Sequence, residues 1–119
     1  MLLASSQWDY VVLHDHTLAF TNARAEGIES LVNGYAPPLA LGNATPLLIM
    51  THAYLARDDA VTRILGDTAT FTRGVAEYYE TCASALAHAL PASQRPRIAP
   101  FGRVVEVVHS ERPQAWAAL

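Results

Sequence analysis

Residues Thr45–Leu90 read TPLLIMTHAYLARDDAVTRILGDTATFTRGVAEYYETCASALAHAL, and the fold turns on how this stretch is divided. Thr45 is a good helix cap. Pro46 after it suits a first helical position, where a missing amide hydrogen costs nothing. From Leu47 to Ala56 apolar side chains point in every direction on a helical projection, interrupted by Thr51, His52 and the Tyr54 hydroxyl, which predicts a helix buried on all sides. Asp58 restarts it for a short run through Ile64 and Leu65, which Gly66 ends.

Asp67 or Thr68 then opens the longest helix, which stops near Leu90 before Pro91. Phe71, Val75, Tyr78, Cys82, Ala85, Leu86 and Ala89 fall on one side of it, and Arg73, Glu77, Glu80, Ser84 and His88 on the other.

Working outward, Trp8–Phe20 (WDYVVLHDHTLAF) is rich in β-branched and aromatic residues and reads as one long strand, or as a hairpin turning at Asp15 and His16. Thr21 or Asn22 caps a surface helix reaching Asn33, with Gly34 as its left-handed stop. Tyr35–Ala44, with Pro37 and Pro38, reads as a loop. On the far side, Ala92–Phe101 reads as a stiff exposed loop and Gly102–His109 (GRVVEVVH) as a strand by its valines. The sum is one domain over residues 1–119 of α+β class. A small two- or three-stranded sheet, made of the N-terminal strand or hairpin plus the C-terminal strand, is packed by three to four helices.

Hydrophobic residues are 51% of the chain and charged residues 16%, against a usual charged share of about 25%. So much apolar side chain over so small a sheet points to a homo-oligomer or a protein partner. All eight basic residues are arginines, as in proteins of GC-rich bacterial genomes. Without lysine, Schiff-base chemistry, a P-loop grip and a lysine general base are excluded. Net charge is −3, which does not point to nucleic acid. From Pro91 onward, however, four arginines face Glu106 and Glu111, while residues 1–90 carry four arginines against nine carboxylates. Such an asymmetry could pair copies head to tail or hold a small anion. One cysteine, Cys82, excludes an internal disulfide. With no secretory n-region at Met1–Ser6 and no membrane-length apolar run, a cytoplasmic protein is expected.

His14 and His16 leave one face of a continuous strand, an arrangement found in metal sites, and His52 or Glu106 could supply the third ligand for a divalent metal. A turn at Asp15–His16 would split the pair. In the apolar helix, His52 has a simpler account as a buried neutral imidazole hydrogen-bonded to a carbonyl or hydroxyl. Cys82 shares the apolar face with Tyr78 and reads as a small core residue rather than a nucleophile. Arg95, Arg97 and Arg103 flank the proline-stiffened loop and could clamp a carboxylate or phosphate, although a solvated loop explains them as well. No GxGxxG, P-loop, GxSxG, HExxH or paired-cysteine motif occurs.

Two functional expectations follow. The first is a non-enzymatic, self-associating accessory or regulatory protein that binds another protein. The alternative is a small enzyme or ligand-binding protein whose pocket lies between sheet and helices, lined by Tyr10, His14, His16, His52, Tyr54 and Tyr78.

Overall fold

A computed structural model describes residues 7–53 and 65–118. It is a small α+β fold with three parallel strands in one sheet. The strands are β1 (Tyr10–Leu13), β2 (Thr45–Ile49) and β3 (Arg97–Ala99), in spatial order β1-β2-β3. Between β1 and β2 run α1 (Ala19–Asn22) and α2 (Arg24–Gly42). Between β2 and β3 runs α3 (Thr68–Ala89), followed by a 3-10 turn at Ala92–Gln94. After β3 come α4 (Phe101–Glu111) and α5 (Pro113–Ala117). Parallel neighbours need a crossover, and successive crossovers of one hand in one direction place their helices on the same side. Accordingly α2 and α3 pack on each other over one face of the sheet.

The fold class agrees with the sequence reading, while the assignment of segments to the sheet does not. Thr45–Ile49 is the central strand rather than the start of a buried helix. It pairs with β1 from Tyr10↔Thr45 to Leu13↔Leu48 and with β3 from Leu47↔Arg97 to Ile49↔Ala99. A proline in a central strand calls for an account, because it lacks a ladder donor. Thr45 N–H donates toward β1 (to Asp9 O, 2.9 Å) and Met50 N–H toward β3 (to Ala99 O, 3.0 Å), so the even-numbered amide positions face β3. Pro46 therefore has its missing donor on the β3 side, one residue before β3 begins to pair. The strand is locally an edge there. Pro46 and Leu48 are buried and alternate with half-buried Leu47 and Ile49. The remainder of the expected helix, from Tyr54 to Ile64, lies outside the described residues.

The C-terminal assignments also change. Gly102–His109 is helix, not strand, within α4. Its valines stand in pairs at 104–105 and 107–108, a spacing of three that suits a helix better than the two-residue alternation of a strand, and Val105 is buried at 6% exposure. Pattern outweighs β propensity here. The third strand comes instead from Arg97–Ala99, inside the expected loop. Glu111–Leu119, expected as a tail, includes α5.

Residues 35–44 are not a loop. α2 continues through Gly34 and through Pro37 and Pro38, whose missing amide hydrogens cost the helix interior two hydrogen bonds. Burial of Ala36 and Leu39, at 4% and 0% exposure, offsets that cost. Asn43 then ends the helix in the left-handed region at φ 52°, with its amide and that of Ala44 turned back to Ala40 O and Leu39 O.

The expected amphipathic helix is present as α3. Phe71, Val75, Tyr78, Cys82 and Leu86 are buried, as are Thr72, Ala76 and Tyr79, while Arg73, Glu77, Glu80, Ser84 and His88 are exposed. These buried residues share one core with Leu39, Ala44, Leu48, Met50 and Leu90. Asp67 caps the helix by accepting from Thr70 N–H at 2.8 Å. That bond to the ionised form holds the Asp67 carboxyl below the usual range, so its stabilisation is present above the unfolded-state value and is lost as pH falls through the depressed one. Asp67→Ala is expected to be less stable than wild type at neutral pH. In urea titrations the gap should narrow below about pH 4.

The opposite face of the sheet carries Tyr10 and Val12, about half exposed at 52% and 53%, with Leu47, Ile49, Arg97 and Ala99. No described helix covers it. Among the described residues no helix is long and apolar enough to cross a membrane.

Candidate functional site

β1 ends at Leu13, and the chain neither continues as a strand nor returns as a hairpin. Instead His14–Leu18 turns into α1, with Ala19 N–H bonded to His16 O at 3.0 Å. A cavity of about 380 Å³ lies there, bounded by Leu13–His16, Ala19, Ala23, Leu48, one side of α2 (Glu26, Gly27, Ser30, Leu31, Tyr35) and one side of α3 (Tyr78, Tyr79, Cys82). Its size is at the lower end of small-molecule sites.

Asp15 is the best-fixed residue of the cavity. The Tyr79 hydroxyl accepts from Asp15 N–H at 3.0 Å and donates to Asp15 O at 3.1 Å, which clamps the backbone. The Tyr78 hydroxyl donates to Asp15 Oδ2 at 2.8 Å, and His16 N–H donates to Oδ1 at 2.8 Å. Both tyrosines are 2% exposed. Burial pushes the Tyr79 phenol up, and burial reinforced by the bond to Asp15 pushes that of Tyr78 well above the ordinary range, so each stays protonated as a donor. The two rings meet edge to face at 5.7 Å, which fixes both hydroxyls in the direction of β1.

The close fit depends on α2 as well. A Cβ at Gly27 would collide with the Tyr78 hydroxyl oxygen and come within 3.2 Å of Asp15 Oδ2. Only hydrogen fits between the helix and the Asp15–Tyr78 pair. Arg24, one turn away, donates to Thr81 Oγ1 at 2.9 Å. Cys82 forms part of the floor at 4% exposure, and burial raises its thiol pKa. It is expected to react with Ellman's reagent only once the chain is unfolded, giving one thiol in guanidinium and a slow phase in buffer.

The structure brings together only part of the site read from the sequence. His14, His16 and Tyr78 line the cavity. His52 does not, and its ring packs edge to face on Phe101 at 5.9 Å. Tyr10 lies on the opposite face of the sheet, under the Arg97 guanidinium at 5.8 Å. Arg95 is exposed, Arg97 lies over Tyr10, and Arg103 sits 3.4 Å from Glu106. Tyr54 lies outside the described residues. Among the described residues no group of three or more His, Cys, Asp and Glu is placed to hold a metal ion.

Asp15, Glu26, Gly27 and Tyr79 are the site residues that the sequence reading passed over. The available signal was the adjacent pair Tyr78-Tyr79 on the long helix, since two buried phenols each need a hydrogen-bond partner. Comparisons with protein-family models, curated proteins and solved structures find no match.

Proposed function

We propose that this chain binds a small organic molecule in the cavity at the carboxyl end of β1, as a ligand-binding or enzymic unit. The observation that carries the reading is the fixing of Asp15 by two buried phenols and a backbone amide at the wall of an open cavity. A solvent-exposed turn has no need of such bracing, whereas a recognition group gains affinity from being held in place before the ligand arrives.

A fragment screen followed by amide NMR tests this. Hits should move the resonances of Asp15, His16, Gly27 and Tyr79 together and saturably. A diverse library that moves none of them, at concentrations where fragments normally bind, removes the reading.

Self-association, or binding of a protein partner, is a second reading. One ground for it is the excess of apolar side chain over charge in the sequence, which does not depend on residues 45–49 being helix. A second ground is the sheet face at Tyr10 and Val12, about half exposed among the described residues, since parallel sheets ordinarily have both faces covered. Light scattering tests it. A mass above the monomer that returns to monomer in Val12→Glu supports it, and a monomeric wild type at high concentration rules out the homo-oligomer.

A further inference from the structure

The geometry points to a protonated amine carried on an apolar body as the ligand class of this cavity. The inference rests on the proposed binding role of the cavity and goes on to say what the cavity selects.

An ionised carboxylate is an acceptor only, with two oxygens and about four lone-pair directions. In Asp15 one direction on Oδ2 is taken by the Tyr78 hydroxyl and one on Oδ1 by His16 N–H. The remaining directions call for donors. Among the described residues no arginine bounds the cavity; Arg24, next to Ala23 of the wall, donates to Thr81, and its charge is felt at Cys82 on the floor. The second carboxylate bounding the cavity is Glu26, on an exposed position of α2. Among the described residues bounding the space, the carboxylates of Asp15 and Glu26 stand beside the exposed imidazoles of His14 and His16, and the two carboxylates attract a cation and disfavour an anion.

A charged N–H donor bonds a carboxylate about twice as strongly as a neutral hydroxyl does, so an ammonium is preferred over an alcohol of the same shape. Much of the rest of the wall is apolar, with Ser30 as a polar exception. Leu13, Ala19, Leu31 and Leu48 offer no polar side-chain atoms, and the Tyr35 ring stands beside them. A ligand that places its ammonium at Asp15 therefore has an apolar remainder to bury, and a small hydrophilic cation such as ammonium itself or a bare metal ion leaves that space unused.

The test uses three probes of similar shape: 2-phenylethylamine, 2-phenylethanol and 3-phenylpropionate, titrated into the full chain and followed by amide NMR. The amine is expected to move Asp15, His16 and Gly27 and to bind about tenfold or more tightly than the alcohol, with no saturable shift from the carboxylate. Asp15→Asn keeps the shape and removes the charge. It should bring the amine down to the affinity of the alcohol. If Asp15→Asn does not give a wild-type-like spectrum, Glu26→Gln at its exposed site takes its place, with a loss of about twofold or more expected for the amine alone.

Equal binding of amine and alcohol, tighter binding of the carboxylate, or amine affinity unchanged by the variant overturns the amine assignment. In those cases the pocket resonances still move, and the binding role stands. If neither these probes nor the fragment library move the pocket resonances, the binding role fails, and the amine assignment fails with it.

Discussion

Gln94→Leu is expected to lower the free energy of unfolding by about 3 kcal/mol, measured by urea or guanidinium denaturation. Gln94 is 2% exposed, and its side-chain amide donates to Leu39 O at 2.7 Å and to Ala44 O at 2.6 Å. Those two carbonyls flank the point where α2 stops and β2 begins. Leucine has nearly the same volume, so the cost is not that of a cavity. It is the cost of two buried carbonyls losing a donor, about 1 to 3 kcal/mol each, reduced at Leu39 because Ala44 N–H also bonds its oxygen. Gln94→Glu should be worse at neutral pH, since a carboxylate would replace both donors with charge facing two carbonyl oxygens. A loss below about 1 kcal/mol for Gln94→Leu would mean that the 3-10 turn does not tie α2 to β2.

Gln94 also illustrates what a single sequence hides. In SQRPR it looks like one more polar residue of an exposed loop, and nothing local says that it reaches back 50 residues to Ala44 and 55 to Leu39. The long helix α3 is legible because its signal is local and repeated: a cap at Asp67, several turns of one-sided apolar spacing, and a stop at Leu90–Pro91. TPLLI is not, because a short, mostly apolar run has the same composition in a buried strand and in a buried helix, and periodicity cannot separate them. Pro46 tips the reading toward a helix start. What admits a proline to a central strand is that β3 starts one residue late, a fact of register rather than of sequence.

The candidate site divides along the same line. His14 and His16 draw attention as possible ligands, and they do line the cavity, yet the residue between them is the one the fold secures. Asp15 reads as a turn former, which it is, since the chain leaves β1 there. Its partners lie 63 and 64 residues away on α3. Helical spacing places Tyr78 correctly on the buried side of that helix, and what it faces depends on where β1 ends. Tyr10 is misplaced for a simpler reason. Residues alternate sides along a strand, and Tyr10 and Val12 point to the face opposite the cavity that Leu13 lines.

Two glycines on one helix make the second large prediction, because the same substitution should have opposite signs at each. Gly34 is in α2 with nothing beyond its chain neighbours and the surrounding helix backbone within 4 Å of the place a methyl group would take, and its φ is not positive. Gly34→Ala should therefore stabilise the protein by about 0.5 to 1 kcal/mol, the ordinary helix-propensity gain. Gly27, two turns earlier, receives the same gain, yet its methyl would strike the Tyr78 hydroxyl and crowd Asp15 Oδ2. Relief requires moving α2 off α3 or breaking the Tyr78–Asp15 bond, and overpacking of this kind costs about 1 to 3 kcal/mol. The net effect of Gly27→Ala should be a loss of about 1 to 2 kcal/mol in denaturant titrations, after the propensity gain is subtracted. The variant should also bind 2-phenylethylamine more weakly, while Gly34→Ala binds it as wild type does. Should Gly27→Ala stabilise the chain as Gly34→Ala does, α2 does not press on the Asp15–Tyr78 pair in solution, and the cavity loses the wall that gives it its shape.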